Sequence, residues 1–196
     1  MIPALFPVRG PSVGITWNPS DKTNTVTLSN GNLTATTPGG VRATTPRTTG
    51  KYYLEYLIVN LGGNNSFAGL GSGLNDGPSP PYVAQTPYSW WEMNLAYGYI
   101  GWTVGGIFFG PVAYFSPYVN GQVMGLAWDS ATSKMWVSQN NVWGGNPSAG
   151  TGEAFNTTTG TLFPWFRGVS ASIITLNVTT GQFSYTPPTG FSAWQP

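Results

Sequence analysis

Glycine and proline interrupt this chain so often that no long helix fits it. The sequence has 27 Gly and 17 Pro in 196 residues. No ten-residue window carries an apolar stripe of helical period that is free of both residue types. What remains is a series of short alternating runs bounded by turn residues, which is typical of β-strands. We therefore expect an all-β fold.

Two segments carry the clearest strand signals. Residues 25–36 alternate Thr with apolar side chains around Asn30-Gly31, which predicts a hairpin. Residues 51–59 are largely apolar on both alternating faces, which predicts a central strand. Further strands are predicted at 66–70, 96–104, 123–128, 134–138, 162–166, 172–178 and 183–185. About ten short strands joined by turns predict a two-sheet antiparallel β-sandwich.

The composition excludes several classes of partner. Charged residues make up 7% of the chain and the net charge is +1, so we expect neither nucleic acid nor an anionic membrane as a partner. The first residues lack the basic start and unbroken apolar run of a signal peptide. No apolar stretch has the length of a membrane span. Aromatic residues make up 15% of the chain, which favours a packed core over disorder.

The chain divides into an arm and a domain. Residues 1–14 are apolar, aperiodic and punctuated by proline, and we interpret them as an extended arm ahead of a domain at 15–196. A disordered terminus is the alternative. Four apolar side chains of the arm are the candidate attachment residues: Ile2, Leu5, Phe6 and Val8.

The absence of two residue types limits catalysis. The sequence contains no His and no Cys, which rules out Ser-His-Asp and Cys-His arrangements and the usual zinc sites. We expect no enzyme, no cofactor and no metal. A glycosidase would need two facing carboxylates, and Asp76 with Glu92 is the only suggestive pair. The alternative places Asp76 in a turn and makes Glu92 a loop carboxylate. Glu55 and Asp129 lie in or at the ends of strands, where structural hydrogen bonding is expected.

Two loops are the candidate binding surface. The segment 80–92 is rich in proline and aromatic residues, and flat amphipathic rings held on a loop suit stacking on sugars or packing against protein. The alternative is that Trp90 and Trp91 cap the open end of the core. The second loop lies near residue 140. The candidate binding residues are Tyr82, Tyr88, Trp90, Trp91, Asn140 and Asn141.

Eight segments, in order along residues 15–195, carry a family resemblance. They are Trp17-Asn18-Pro19-Ser20 with the hairpin after it, Gly50-Lys51-Tyr52-Tyr53-Leu54-Glu55, Gly69-Leu70-Gly71, Tyr97-Gly98-Tyr99, residues 120–129, residues 134–140, residues 152–155 with 162–164, and residues 183–191. Together these segments resemble those of SPRY (B30.2-like) domains. The resemblance implies a concanavalin-like jelly roll that binds through loops converging at one end of the sandwich.

The departures from the family pattern concern the loops. Gln122 stands where the family usually has Asp, Asn141 stands where it has Gly, and residues 75–92 are longer than in most members. These differences argue against the ways in which animal members of the family bind their ligands. The charge-poor, Cys-free style resembles members found in phage virions.

Three functions compete on this basis. The leading hypothesis is a non-enzymatic virion surface protein, a capsid decoration or tail-associated adhesion module made in the host cytoplasm. Its arm would contact other virion proteins, its loops would meet a host surface glycan or protein, and copies of the chain could associate as a homo-oligomer. The alternatives are a cellular SPRY-type interaction adaptor and a carbohydrate-active enzyme using Asp76 and Glu92.

Overall fold

The computed structural model describes residues 14–63, 65–72 and 89–195, and within these ranges every regular element is a strand. The strands are β1 Trp17–Lys22, β2 Thr27–Ser29, β3 Thr34–Thr36, β4 Gly39–Ala43, β5 Lys51–Asn60, β6 Ser66–Gly71, β7 Trp90–Asn94, β8 Tyr99–Val104, β9 Ile107–Ala113, β10 Val123–Asp129, β11 Lys134–Gln139, β12 Val142–Trp143, β13 Phe163–Gly168, β14 Ile173–Asn177 and β15 Ser192–Ala193. No helix in the described ranges is long and apolar enough to span a membrane.

The strands form two antiparallel sheets, which confirms the predicted sandwich. Sheet A has the order β1-β4-β13-β6-β7-β8-β9, and sheet B has the order β12-β11-β10-β5-β14-β3-β2. The short β15 adds a parallel pairing to β5. Neighbours in the sheets are often distant in sequence, as where β13 inserts between β4 and β6. The fold therefore depends on long-range pairing.

The main core lies between the sheets and is built largely from aromatic side chains. Trp17, Tyr56, Trp91, Trp128 and Phe166 are all essentially inaccessible to solvent. Trp17 stacks on Tyr56 with ring centroids 6.2 Å apart, and Phe166 packs against Trp17. Large rings bury much apolar area each, so a chain without disulfides obtains its stability here from burial.

Strand β5 is central in sheet B, as predicted, because β10 and β14 pair with it along most of its length. Its inner face contributes to the main core. On the outer face, Tyr53, Trp136 and Phe191 form a second small cluster, with Phe183 packed against it. The C-terminal segment therefore covers part of the outer face of sheet B.

The hairpin predicted at residues 25–36 is present as β2 and β3, which pair from Thr27 with Thr36 to Ser29 with Thr34. The connection between them passes through Asn30 and Gly31, both with positive φ, at 53° and 61°. That left-handed backbone is the conformation for which Asn-Gly is favoured in tight hairpins. The local turn chemistry was therefore sufficient to locate this hairpin.

The strand predicted at 183–185 is wrong. This segment is irregular, because the backbone N–H groups of Ser184 and Tyr185 donate to the Glu55 carboxylate, at 2.7 and 2.9 Å, instead of to a neighbouring strand. The strand predicted from residue 96 begins later, at Tyr99. Residues 96–98 turn instead, with the Gly98 N–H donating to the Asn94 carbonyl at 2.8 Å.

Candidate functional site

The interpretation of Trp90 and Trp91 as loop aromatics is wrong. Both residues lie on β7, which pairs with β6 on one side and β8 on the other. The Trp91 ring belongs to the main core and is fully buried, and its indole N–H donates to the Thr157 hydroxyl at 3.2 Å. Trp90 is half-buried on the opposite face of the strand. The alternative placed both rings as a cap on the open end of the core, and the structure shows Trp91 inside the main core.

Asn140 and Asn141 form the exposed turn between β11 and β12, with φ values of 47° and 65°. The Asn140 side chain accepts a hydrogen bond from the Val123 N–H at 2.9 Å, so it stabilises the turn. This turn lies at the same end of the sandwich as the last residue of β7, and Trp90 is the first residue of β7. Trp90 and this turn therefore lie at opposite ends of the sandwich.

Several predicted site residues lie outside the described ranges. These are Tyr82 and Tyr88 of the aromatic segment, Asp76 of the carboxylate pair, and the arm residues Ile2, Leu5, Phe6 and Val8. Their roles stay predictions.

Glu92, in contrast, lies within the described ranges, on the outer face of sheet A. It lies in the middle of β7, directly between Gly69 of β6 and Gly101 of β8. Neither neighbour has a side chain that could cover or pair with the carboxylate. The next positions along the same face carry rings, with Phe67 and Tyr99 on either side of Asn94. Diagonal neighbours at this distance can reach over the gap.

The result is a groove, which we call the Glu92 groove. It has a volume of about 320 Å³. It is lined by Phe67, Glu92, Asn94, Tyr97, Tyr99, Ile100, Gly101, Phe108 and Pro111. The rings of Tyr97 and Tyr99 stack with their centroids 5.9 Å apart. A Cβ at Gly101 would lie 3.0 Å from the Phe108 ring, so the absence of a side chain at this position lets that ring approach the sheet closely.

The electrostatics of Glu92 are unusual for a surface sheet. The residue is only 8% exposed, and its Oε2 has no hydrogen-bond partner among the described residues. Burial raises the pKa of Glu92 from its usual 4.5 to about 7, although the nearby charge of Arg167 acts to lower it. Burial is the larger effect because taking a carboxylate out of water disfavours its charged form. The groove thus contains an acid that changes charge near neutral pH.

Strand β9 is the second notable surface. It forms an edge of sheet A, and all seven of its residues are exposed. Its large side chains are apolar on both faces: Ile107 is 64% exposed, Phe108 52%, Phe109 43% and Val112 48%. The Phe109 ring stacks on Trp102 of β8 at 5.7 Å, which holds part of this surface in place. Exposed apolar edges of this kind commonly bind another chain.

Comparisons with known proteins identify the architecture. The SPRY domain of human HERC1 superimposes with a TM-score of 0.60 at 15% identity, covering 87% of this chain and 99% of that domain. The chain has a SPRY-like fold. The TRIM65 PSpry domain matches with a TM-score of 0.56 at 15% identity, covering 83% of this chain and 88% of that domain.

Stonustoxin matches with a TM-score of 0.57 at 17% identity, over 83% of this chain and 27% of the toxin chain. No protein-family model matches the sequence, and no curated protein matches it at a significant level. The fold is therefore shown by three-dimensional likeness.

Two other carboxylates of the SPRY-like sandwich have the structural roles expected of them. Glu55 is fully buried and accepts hydrogen bonds from the Tyr53 hydroxyl and two backbone N–H groups. Asp129 pairs with Lys51 at 3.0 Å and accepts from the Ala131 N–H. Burial acts to raise the pKa of Asp129. The carboxylate also accepts hydrogen bonds from Lys51, Thr132 and the Ala131 N–H and lies beside the Lys51 charge. These interactions together hold the pKa of Asp129 below its usual value. In the described ranges, no three acidic residues cluster as metal ligands.

Sequence reasoning missed both the Glu92 groove and β9. The signal for β9 was Gly105-Gly106 between two apolar runs, which is a hairpin turn with φ values of 59° and 85°. For the groove, the signal was a pair of glycines, Gly69 and Gly101, that flank Glu92 only once the strands are in register. Register depends on tertiary pairing, so the second signal was not readable along the chain.

Proposed function

We propose that this SPRY-like chain is a non-enzymatic binding protein that works by protein–protein contact through the β8–β9 hairpin. The observation that carries the proposal is β9, an edge strand on which every residue is exposed and four large side chains are apolar. These four side chains are between 43% and 64% exposed, and clustered exposed apolar side chains commonly mark an interaction site.

The backbone of β9 supports the same proposal. Its outer edge pairs with no other described strand, so its free N–H and C=O groups are open to an added strand. Pro111 has no N–H and interrupts this ladder. The first half of the strand, Ile107 to Phe109, is therefore the segment available for pairing, and it carries three of the four apolar side chains.

We further propose that the contact serves a phage virion, with the chain as a capsid decoration or tail-associated module. The charge-poor, Cys-free sequence style supports this, and the partners would be other virion proteins, further copies of the chain, or a host surface glycan or protein. Cryo-electron microscopy of particles from the source of the sequence tests the location. Density for the sandwich on the particle is expected, and recovery of the chain only as free protein in the lysate would contradict it.

Ile107→Lys is expected to weaken self-association by about 10-fold or more, because a charge replaces an apolar contact at the open edge. Sedimentation velocity over a range of concentrations measures this. Val142→Lys is the matched control, since Val142 is 67% exposed on β12, an edge strand of the other sheet. Equal effects of the two substitutions would contradict the role of β9, and a wild-type chain that stays monomeric would contradict self-association.

A cellular interaction adaptor is the second candidate. It is favoured by the likeness to the SPRY domain of human HERC1, which extends over nearly all of that domain. This function predicts a single linear peptide partner. A peptide that binds the isolated chain in titration calorimetry, together with no incorporation into particles, would favour it over the virion proposal.

A further inference from the structure

The contacts of Glu92 do not explain any role for this residue in stabilising the sandwich. Its Oε2 is buried and has no hydrogen-bond partner in the part of the chain that the structure describes, while the carboxylates of Glu55 and Asp129 accept several hydrogen bonds each. A buried carboxylate without a partner destabilises a protein. Such a group in a groove with aromatic walls has the features of a site that a ligand completes.

We propose that the Glu92 groove binds one cationic side chain, a lysine or an arginine, of the partner protein. The ammonium or guanidinium group would donate hydrogen bonds to Glu92 Oε2. The apolar stem would pack against Phe67, Tyr99 and Phe108, which line the groove. This inference rests on the proposed function, because it assigns a specific contact to the protein–protein interface.

The dimensions and chemistry of the groove favour a single side chain over a sugar. Its volume of about 320 Å³ is near the lower end of the range for small-ligand sites, about 300–1,000 Å³. Its lining residues offer aromatic rings, one buried carboxylate, the exposed hydroxyls of Tyr97 and Tyr99, and Asn94, whose Oδ1 already accepts from the Ala96 N–H at 3.1 Å. A sugar requires several hydrogen bonds, whereas a cation on an apolar stem requires one carboxylate and aromatic faces.

The position of the groove supports a partner as the source of the cation. Phe108 belongs both to the lining of the groove and to the exposed apolar surface of β9. A partner that packs on the Phe108 face of the β8–β9 hairpin would therefore also cover the groove and could place a side chain in it.

Among the described residues, Arg167 is the charged group that acts on Glu92. It lies on β13, with its guanidinium over the Phe67 ring at 5.4 Å from the ring centroid. Its charge lowers the pKa of Glu92 but does not offset the effect of burial. An entering cation meets repulsion from Arg167, and removal of this charge also raises the pKa of Glu92, so stronger cation binding is expected at a pH well above 7, where Glu92 is ionised in both proteins.

The affinity of the groove should depend on pH. A cation prefers ionised Glu92, and in the free protein the pKa of this group is about 7. Above that value the carboxylate is already charged and the affinity is at its plateau. Below it, binding must first release a proton, so the affinity falls by up to about 10-fold per pH unit.

Titration with small probes tests the proposal in the absence of the partner. The cationic probes are N-acetyl-lysine methylamide and N-acetyl-arginine methylamide, and the neutral controls are the corresponding norleucine and citrulline derivatives. Amide chemical shifts of Tyr99 and Gly101 report on occupancy. We expect the cationic probes to bind at least about 10-fold more tightly than the neutral ones. The affinity should decline as the pH falls below about 7, because binding must then release a proton from Glu92.

Two variants complete the test. Glu92→Gln keeps the shape of the side chain and should abolish both the preference for cations and the pH dependence. Arg167→Gln should increase cation affinity at about pH 9, where Glu92 is ionised in both proteins. Neutral probes that bind as tightly as cationic ones, or cationic probes that bind Glu92→Gln as tightly as wild type, would overturn the proposal. Ile107→Lys should retain probe binding while it weakens self-association, so failure of the groove and failure of the β9 contact are distinguishable.

Discussion

Glu55→Ala should lower the free energy of unfolding by about 3–5 kcal/mol. The carboxylate is fully buried and accepts from the Tyr53 hydroxyl at 2.9 Å and from the backbone N–H groups of Ser184 and Tyr185. Each buried donor left without an acceptor costs about 1–3 kcal/mol. The loss is partly offset because the variant no longer buries a charge. Urea unfolding followed by tryptophan fluorescence measures the change.

The same variant should release the C-terminal segment. In the wild type, the amide protons of Ser184 and Tyr185 are hydrogen-bonded to a buried group and should exchange slowly with solvent. In the Ala variant they should exchange rapidly. Glu153→Ala is the control, because Glu153 pairs with Lys134 at 3.2 Å near the surface and should contribute less than about 1 kcal/mol. A stability loss for Glu55→Ala no larger than that of the control would contradict the structural role.

Glu92→Gln should stabilise the protein at alkaline pH, by about 3 kcal/mol near pH 8. The pKa of Glu92 is about 7 in the folded state and 4.5 when unperturbed, so the folded state binds the proton more tightly. Wild-type stability therefore decreases as the pH rises from about 4.5 to about 7 and is then constant with respect to this group. The Glu92→Gln variant lacks this dependence of stability on pH. The measurement is urea unfolding of both proteins at several pH values.

The difference between the two proteins should be small near pH 4.5 and largest near pH 8. Asp129→Asn is the control with the opposite sign. The pKa of Asp129 is lowered in the folded state, so this carboxylate stabilises the protein above its unperturbed pKa, and the stabilisation is lost as the pH falls through the lowered value. A difference between wild type and Glu92→Gln that does not change with pH would contradict the burial argument.

The sandwich was predictable because its signals are local. Asn30-Gly31 located a hairpin, and the apolar run from Lys51 located the central strand, since turn geometry and side-chain alternation are both encoded within a few residues. The strand predicted at 183–185 failed for a long-range reason. The backbone partner of Ser184 and Tyr185 is the side chain of Glu55, which lies far away in the sequence.

The candidate site was less predictable than the fold. The local sequence around Trp90 and Trp91, with its prolines and aromatic residues, indicated a loop, but pairing with β6 and β8 placed both residues in a strand. Glu92 was assigned to the same loop. The position of Glu92 in a groove depends on Gly69 and Gly101, which become its neighbours only in the folded sheet. Burial and register together create the groove, and neither is a property of a short sequence window.

The open edge at β9 limits the size of an assembly formed through it. In the described part of sheet B the terminal strands are short, with two residues in β12 and three in β2, and at the other border of sheet A the register of β1 is irregular. Two chains that join edge to edge at β9 about a two-fold axis would each use the one described edge strand that is exposed along its whole length and largely apolar. Growth would stop at a pair, because the described strands leave no equivalent edge for a third chain. The unequal edges thus favour a closed complex over a filament.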